Sequence, residues 1–170
     1  DKAGNTSDTQ TIYLDSAAPT GTIKNSSGTA ISGYTNGAFS YTATDTGSGV
    51  SYLQYKTPGS SSWTTYSSGT TISASATNGL YQFRAVDKAG NTSAVSSIYL
   101  DTALPTGKIT DSNGTTITTT TNKAFKYTAS DGLSEIAYMQ YKKPNSTVWE
   151  TYAAGTLIQT TDTNGIYRFR

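Results

Sequence analysis

The sequence holds no cysteine, no histidine, one methionine and four prolines in 170 residues. Without cysteine there is no disulfide, no thiolate nucleophile and no sulfur-built zinc site. Without histidine, the commonest general base and the commonest metal ligand are both missing. Charge is scarce too. Only 14% of residues are charged and the balance is +1, so there is no electrostatic footprint for nucleic acid or an anionic membrane. No apolar run approaches the roughly 20 residues of a membrane span, and no leader peptide is visible. The stretch reads as soluble, internal to a longer precursor and without membrane insertion in this segment. Serine and threonine are plentiful, but an unactivated hydroxyl is a poor nucleophile. The glycines are scattered singly rather than gathered into a phosphate loop. No catalytic residue and no enzymatic activity is expected.

What is present is a repeat. Shifted by 86 residues, the chain aligns with itself without a gap, and roughly 47 of 84 aligned positions are identical. "DKAGNTS" opens the chain and returns at 87–93; "TIYLD" lies over "SIYLD", and "TNGLYQFR" over "TNGIYRFR". Such self-similarity marks strung or stacked modules. The repeat divides the chain into 1–15, the final loop and strand of a preceding unit; 16–101, a complete unit; and 102–170, a unit lacking its last strand. The two partial pieces together fall two residues short of one unit.

Helical periodicity is missing. Short alternating runs separated by Gly, Asn, Asp and Pro predict strands and turns throughout. In "AFSYTATD", Phe39 and Tyr41 share a face, as do Phe125 and Tyr127 in its copy. Leu53, Tyr81 and Phe83, with Tyr167 and Phe169, follow the same alternation. Trp63 and Trp149 complete the expected core, buried at matching positions. "KAGN" predicts a tight loop with Gly4 and Gly90 at positive φ. Seven or so short strands in about 86 residues predict an all-β fold of tandem immunoglobulin-like β-sandwich modules.

"NGLYQFRAVDKAGNTS" followed by "IYLDTALPTG" resembles the junction between successive bacterial immunoglobulin-like repeats of large cell-surface and adhesin proteins. The fibronectin type III sandwich is a near relative. The resemblance covers essentially the whole chain, twice. It implies a non-catalytic structural repeat, the stalk or filament of an extracellular protein at the cell surface or cell wall. The alternative is a carbohydrate- or ligand-binding module of a secreted enzyme or adhesin. Freedom from cysteine in a Ser/Thr/Gly-rich repeat suits a bacterial surface. The short joint "DTALPTG", with Pro19 and its copy Pro105, predicts a preferred angle between modules.

Three further readings concern sites. No cofactor is expected, with calcium the alternative left open. Repeats of the resembling kind hold calcium at module junctions, and the candidate ligands are Asp15, Asp45, Asp87, Asp101 and Asp131. Internal Lys–Asn isopeptide bonds, known in resembling stalk modules, would need Lys2, Lys56, Lys88 or Lys142 buried with Asn5, Asn36, Asn78, Asn91, Asn122 or Asn164. Lys88 in a turn and Lys142 on the face opposite Met139 and Tyr141 argue against it. Tyr13, Tyr52, Tyr66, Tyr99, Tyr138 and Tyr152 are candidate outward aromatics for sugar stacking. The expected partners are neighbouring copies of the same repeat, joined head-to-tail by strand donation. Thr11, Ile12, Tyr13, Leu14 and Asp15 of one molecule would dock on Tyr167, Arg168, Phe169 and Arg170 of the next.

Overall fold

A computed structural model describes residues 1–170, which divide into two compact units, Asp1–Thr102 and Ala103–Arg170. Every regular element is a strand, and no helix is long and apolar enough to cross a membrane.

In the first unit, β1 (Thr20–Asn25) pairs antiparallel with β3 (Phe39–Thr44), Ile23 opposite Tyr41. The larger sheet contains β2 (Gly33–Thr35), β4 (Val50–Lys56), β5 (Thr64–Tyr66), β6 (Gly79–Asp87) and β7 (Ser96–Leu100). Its order is β2-β7-β6-β4-β5. All its pairings are antiparallel except β2 with β7, which is parallel. A register shift between Val50 and Tyr52 bulges β4 against β6. The inward alternation of both sheets makes one core. Ile23, Phe39 and Tyr41 come from the small sheet; Leu53, Tyr66, Tyr81, Phe83, Ala85, Ile98 and Leu100 come from the large one. Layered strands burying a shared apolar face are the arrangement of a β-sandwich. Rings interlock across it: Tyr41 stacks on Phe83 at 5.0 Å, and Phe39 meets Tyr81 edge-on at 5.4 Å.

The second unit repeats part of this plan. β8 (Thr106–Asp111) pairs with β9 (Phe125–Ser130) in the register of β1 and β3, Ile109 opposite Tyr127. β10 (Met139–Lys142), β11 (Glu150–Tyr152) and β12 (Arg168–Phe169) form a sheet of order β11-β10-β12. Its ring geometry copies the first unit: Tyr127 on Phe169 at 5.0 Å, Phe125 against Tyr167 at 5.5 Å. No strand lies beside β12 where β7 lies beside β6. Other differences run through the unit. Residues 119–121, matching β2, form no strand. Residues 136–138 match the start of β4, which pairs with Val86 and Asp87; they too carry no strand. Phe39, Tyr41 and Phe83 are at most 1% exposed, whereas Phe125, Tyr127 and Phe169 are only half-buried.

Two expectations about side-chain direction are corrected. Trp63 and Trp149 lie outside both core clusters, half-buried on the outer face. Trp63 sits beneath Lys56 and Arg84, whose cationic groups lie 4.8 and 4.4 Å from its ring centroid. Trp149 repeats this beneath Lys142 and Arg170. Tyr66 and Tyr152, expected outward, are the buried residues, at 4% and 3% exposure. Trp63 and Tyr66 stand three residues apart, so a period of two sends them to opposite faces. The face carrying Tyr66 is the one that packs.

Candidate functional site

Two features stand out: a carboxylate cluster in the first unit and, in the second, the surroundings of β12, which pairs with β10 alone.

The cluster begins with the tight turn 87–91. Asp87 closes it by accepting the Asn91 backbone N–H on Oδ1 and the Asn91 Nδ2 on Oδ2, both at 2.8 Å. Gly90 turns the chain at φ 95°, a conformation that glycine adopts without strain. The loop after β3 is held in the same way, with Asp45 Oδ2 accepting the N–H groups of Gly47 at 3.1 Å and Gly49 at 2.8 Å. Asp15 joins the two loops. Its carboxylate accepts from Ser48 N at 2.5 Å and Ala17 N at 3.0 Å, and its carbonyl accepts from Asn91 Nδ2 at 3.1 Å. A side chain at position 47 would run into that carboxylate, so the approach depends on Gly47. One oxygen each from Asp15, Asp45 and Asp87 then lies within 4.8 Å of the others. The Ser48 N–H, then the Ser48 hydroxyl and the Ala17 N–H, hold the Asp15 carboxyl below its ordinary range. Three carboxylate oxygens at this spacing could contribute to a calcium shell of six to eight oxygens, with carbonyls and water supplying the rest. In the structure these carboxylates serve as loop clamps. Asp101 and Asp131, the other two candidate ligands, stand outside the cluster. Asp101 is buried at the end of β7, and Asp131 accepts from Leu133 N and Ser134 N in its own loop.

The lysines considered for isopeptide bonds are engaged elsewhere or exposed. Lys56 and Lys142 cover the tryptophans, and Lys88 is exposed in its turn. Asn91 is tied to Asp87 and Asp15, and Asn78 caps the N–H of Thr102. Of the outward tyrosine candidates, Tyr13, Tyr52 and Tyr138 are exposed. Tyr99 is half-buried and stacks on Tyr34 at 5.3 Å.

The second feature concerns residues 11–15 and 167–170. In the first unit, β7 pairs Ile98 with Tyr81 and Leu100 with Gly79, and both β7 side chains are fully buried. Residues 11–14 carry nearly the same sequence but form no strand, with Ile12 at 97% and Leu14 at 91% exposure. In the second unit, β12 is bonded on one side only, to β10, with Gln140 and Arg170 extending that pairing. The residues just before β12 help to line a cavity of about 300 Å³, with Ile109, Ile117, Thr121, Phe125, Ile166 and Tyr167 in its walls. The matching place in the first unit is filled by Ile98 and Leu100.

The chain matches no protein-family model, no curated protein and no solved structure.

Proposed function

We propose that the chain is a non-catalytic structural repeat, part of a tandem array of immunoglobulin-like sandwich modules in the stalk of a bacterial cell-surface protein. The observation that carries this reading is the duplicated unit. The same register, ring stacking and cation-covered tryptophan recur 86 residues apart. Duplication that preserves packing rather than a pocket is the economy of a spacer, whose task is length and rigidity. The chemistry supports the same conclusion. The clustered carboxylates have no histidine or cysteine to work with, and their hydrogen bonds fix loops. A cysteine-free fold secured by Tyr, Phe and Asx turns needs no redox environment of its own. Antibody to this chain should label intact cells of the source organism, and brief external protease should remove the label. Labelling that appears only after lysis would overturn the extracellular placement.

The second reading, a carbohydrate-binding module, draws on Tyr34, Tyr52 and Tyr138, which are 52%, 46% and 72% exposed. Retention on insoluble polysaccharide that is lost in Tyr52→Ala and Tyr138→Ala variants would favour it over the spacer.

A further inference from the structure

We infer that the outer face of the five-stranded sheet binds an acidic polysaccharide, with Tyr34, Tyr99 and Tyr52 against its sugar rings and Lys56 and Arg84 on its carboxylates or sulfates. The inference rests on the carbohydrate-binding reading and names the class of glycan. The spacer reading does not depend on it.

Leu53, Tyr55, Tyr81, Phe83, Ile98 and Leu100 point into the core, so strand alternation sends Tyr52, Gln54, Lys56, Gln82, Arg84 and Tyr99 to the other side. No outward residue of these strands is acidic, and Asp87 and Asp101, at the ends of β6 and β7, are buried. Lys56 and Arg84 therefore have no carboxylate partner; the one ion pair of the chain joins Lys143 to Glu150. Both cations are gathered over Trp63 instead. Arg84 donates its Nε to Gln54 Oε1 at 2.8 Å, which fixes the guanidinium and leaves its two terminal nitrogens for a ligand. A guanidinium held this way presents a fork that matches the oxygens of an anionic group. Positive charge without its complement on the same face is what an anionic ligand would supply.

The aromatic side chains fix the rest of the ligand's chemistry. Tyr34 and Tyr52 are exposed, and Tyr34 stacks on Tyr99 at 5.3 Å. Such rings offer an apolar floor to the C–H face of a pyranose, and their hydroxyls meet its polar rim. Tyr99 lies opposite Leu80 and Tyr52 opposite Val86, six residues apart along β6, or about 20 Å. A monosaccharide cannot span that distance. An oligosaccharide can, crossing the two cations between its aromatic ends. The second unit keeps Tyr138, Gln140, Lys142 and Trp149 at the matching outward positions, with Lys142 again over Trp149. Gln82 is replaced there by Arg168, a further cation, while the nearby loop changes from GSSS at 59–62 to NSTV at 145–148. Nucleic acid, charged at every nucleotide, would call for a longer row of cations than Lys56 and Arg84. A chain with one negative charge per sugar ring suits two.

Affinity electrophoresis of the 170-residue chain through gels containing polygalacturonate tests this. Parallel gels hold its neutral methyl ester, hydroxyethyl cellulose or single-stranded polyadenylate. Polygalacturonate should retard the chain and the methyl ester should not. Lys56→Gln with Lys142→Gln should weaken retardation about tenfold, the loss of one charge-assisted bond per unit. Lys56→Arg with Lys142→Arg should restore it. Tyr52→Ala with Tyr138→Ala should weaken it on the order of fivefold. These two rings are exposed, so the circular-dichroism melt of that variant should not change. Retardation by the methyl ester or the cellulose as strong as by the acid overturns the inference and keeps the carbohydrate reading. Retardation by no polysaccharide overturns both. Polyadenylate that retards the chain as strongly as polygalacturonate overturns the inference, as does binding that survives both the Lys→Gln and the Tyr→Ala pairs. None of these outcomes alters surface labelling of cells, so the spacer reading stands or falls separately.

Discussion

The hydroxyl of Tyr66 accepts the backbone N–H of Tyr41 at 2.9 Å and so bonds the edge strand of the large sheet to the small sheet across the core. The same hydroxyl donates to the carbonyl of Thr70, four residues on. Tyr152 repeats both contacts with Tyr127 N, also at 2.9 Å, and with the carbonyl of Thr156. One oxygen satisfies two main-chain groups that the ladders leave over, and its burial pushes the Tyr66 phenol up.

Tyr66→Phe should therefore strand a buried N–H and cost about 1–3 kcal/mol. Tyr152→Phe should cost less, about 0.5–1 kcal/mol, because Tyr127 is only half-buried and water can replace the lost partner. Each unit has one tryptophan. Urea unfolding followed by fluorescence in a Trp149→Phe or Trp63→Phe background reads the units separately. Equal losses in both would refute the link to burial.

Trp63→Ala should cost about 1–2 kcal/mol, the sum of a cation–π contact and partial burial. Phe39→Ala, in the sealed core, should cost about 3–5 kcal/mol. Circular-dichroism melts of the two variants give the ranking. A reversed order would return Trp63 to the core.

Glu135 holds φ 61° where the matching residue of the first unit is Gly49 at 84°. A left-handed conformation costs a side chain about 1–2 kcal/mol, and glycine gives back part of that through its freer unfolded state. Glu135→Gly should stabilise the second unit by up to about 1 kcal/mol. A loss of stability on Trp149-reported melting would show that the loop is not strained there.

Asp15 sets an acid limit on the first unit. Its folded carboxyl is held below the ordinary 3.8, chiefly by the Ser48 N–H. Below 3.8 the unfolded chain takes up this proton first. The contribution is complete above that pH and disappears as pH falls through the lower folded value. Asp15→Asn should flatten the acid limb of a stability–pH curve read at Trp63 with Trp149→Phe. Superimposable acid limbs would remove Asp15 from the account.

Strand alternation made much of the core readable in advance. Phe39, Tyr41, Leu53, Tyr81 and Phe83 have clear period-two neighbours, and all lie in the first core cluster. "SSWTTY" was harder, since two aromatics of opposite parity compete for the inside. The choice falls to partners distant in sequence: Lys56 and Arg84 cover Trp63, while Tyr41 N and Thr70 O claim Tyr66. The cluster was legible as residue types, Asp15 with loop aspartates. Its membership was not, because it depends on Asn91 reaching back to Asp15 over 76 residues.

The parallel pairing of β2 with β7 has a mechanical side. A tether drawn taut between Asp15 and Asp101 pulls β7 along its own axis. Its bonds to β2 and β6, together with Asp101 N to Thr35 O, are then strained at once in shear instead of opening singly as in a zipper. Rupture must break them together, so the edge of this sheet resists tension along the chain far better than peeling across it.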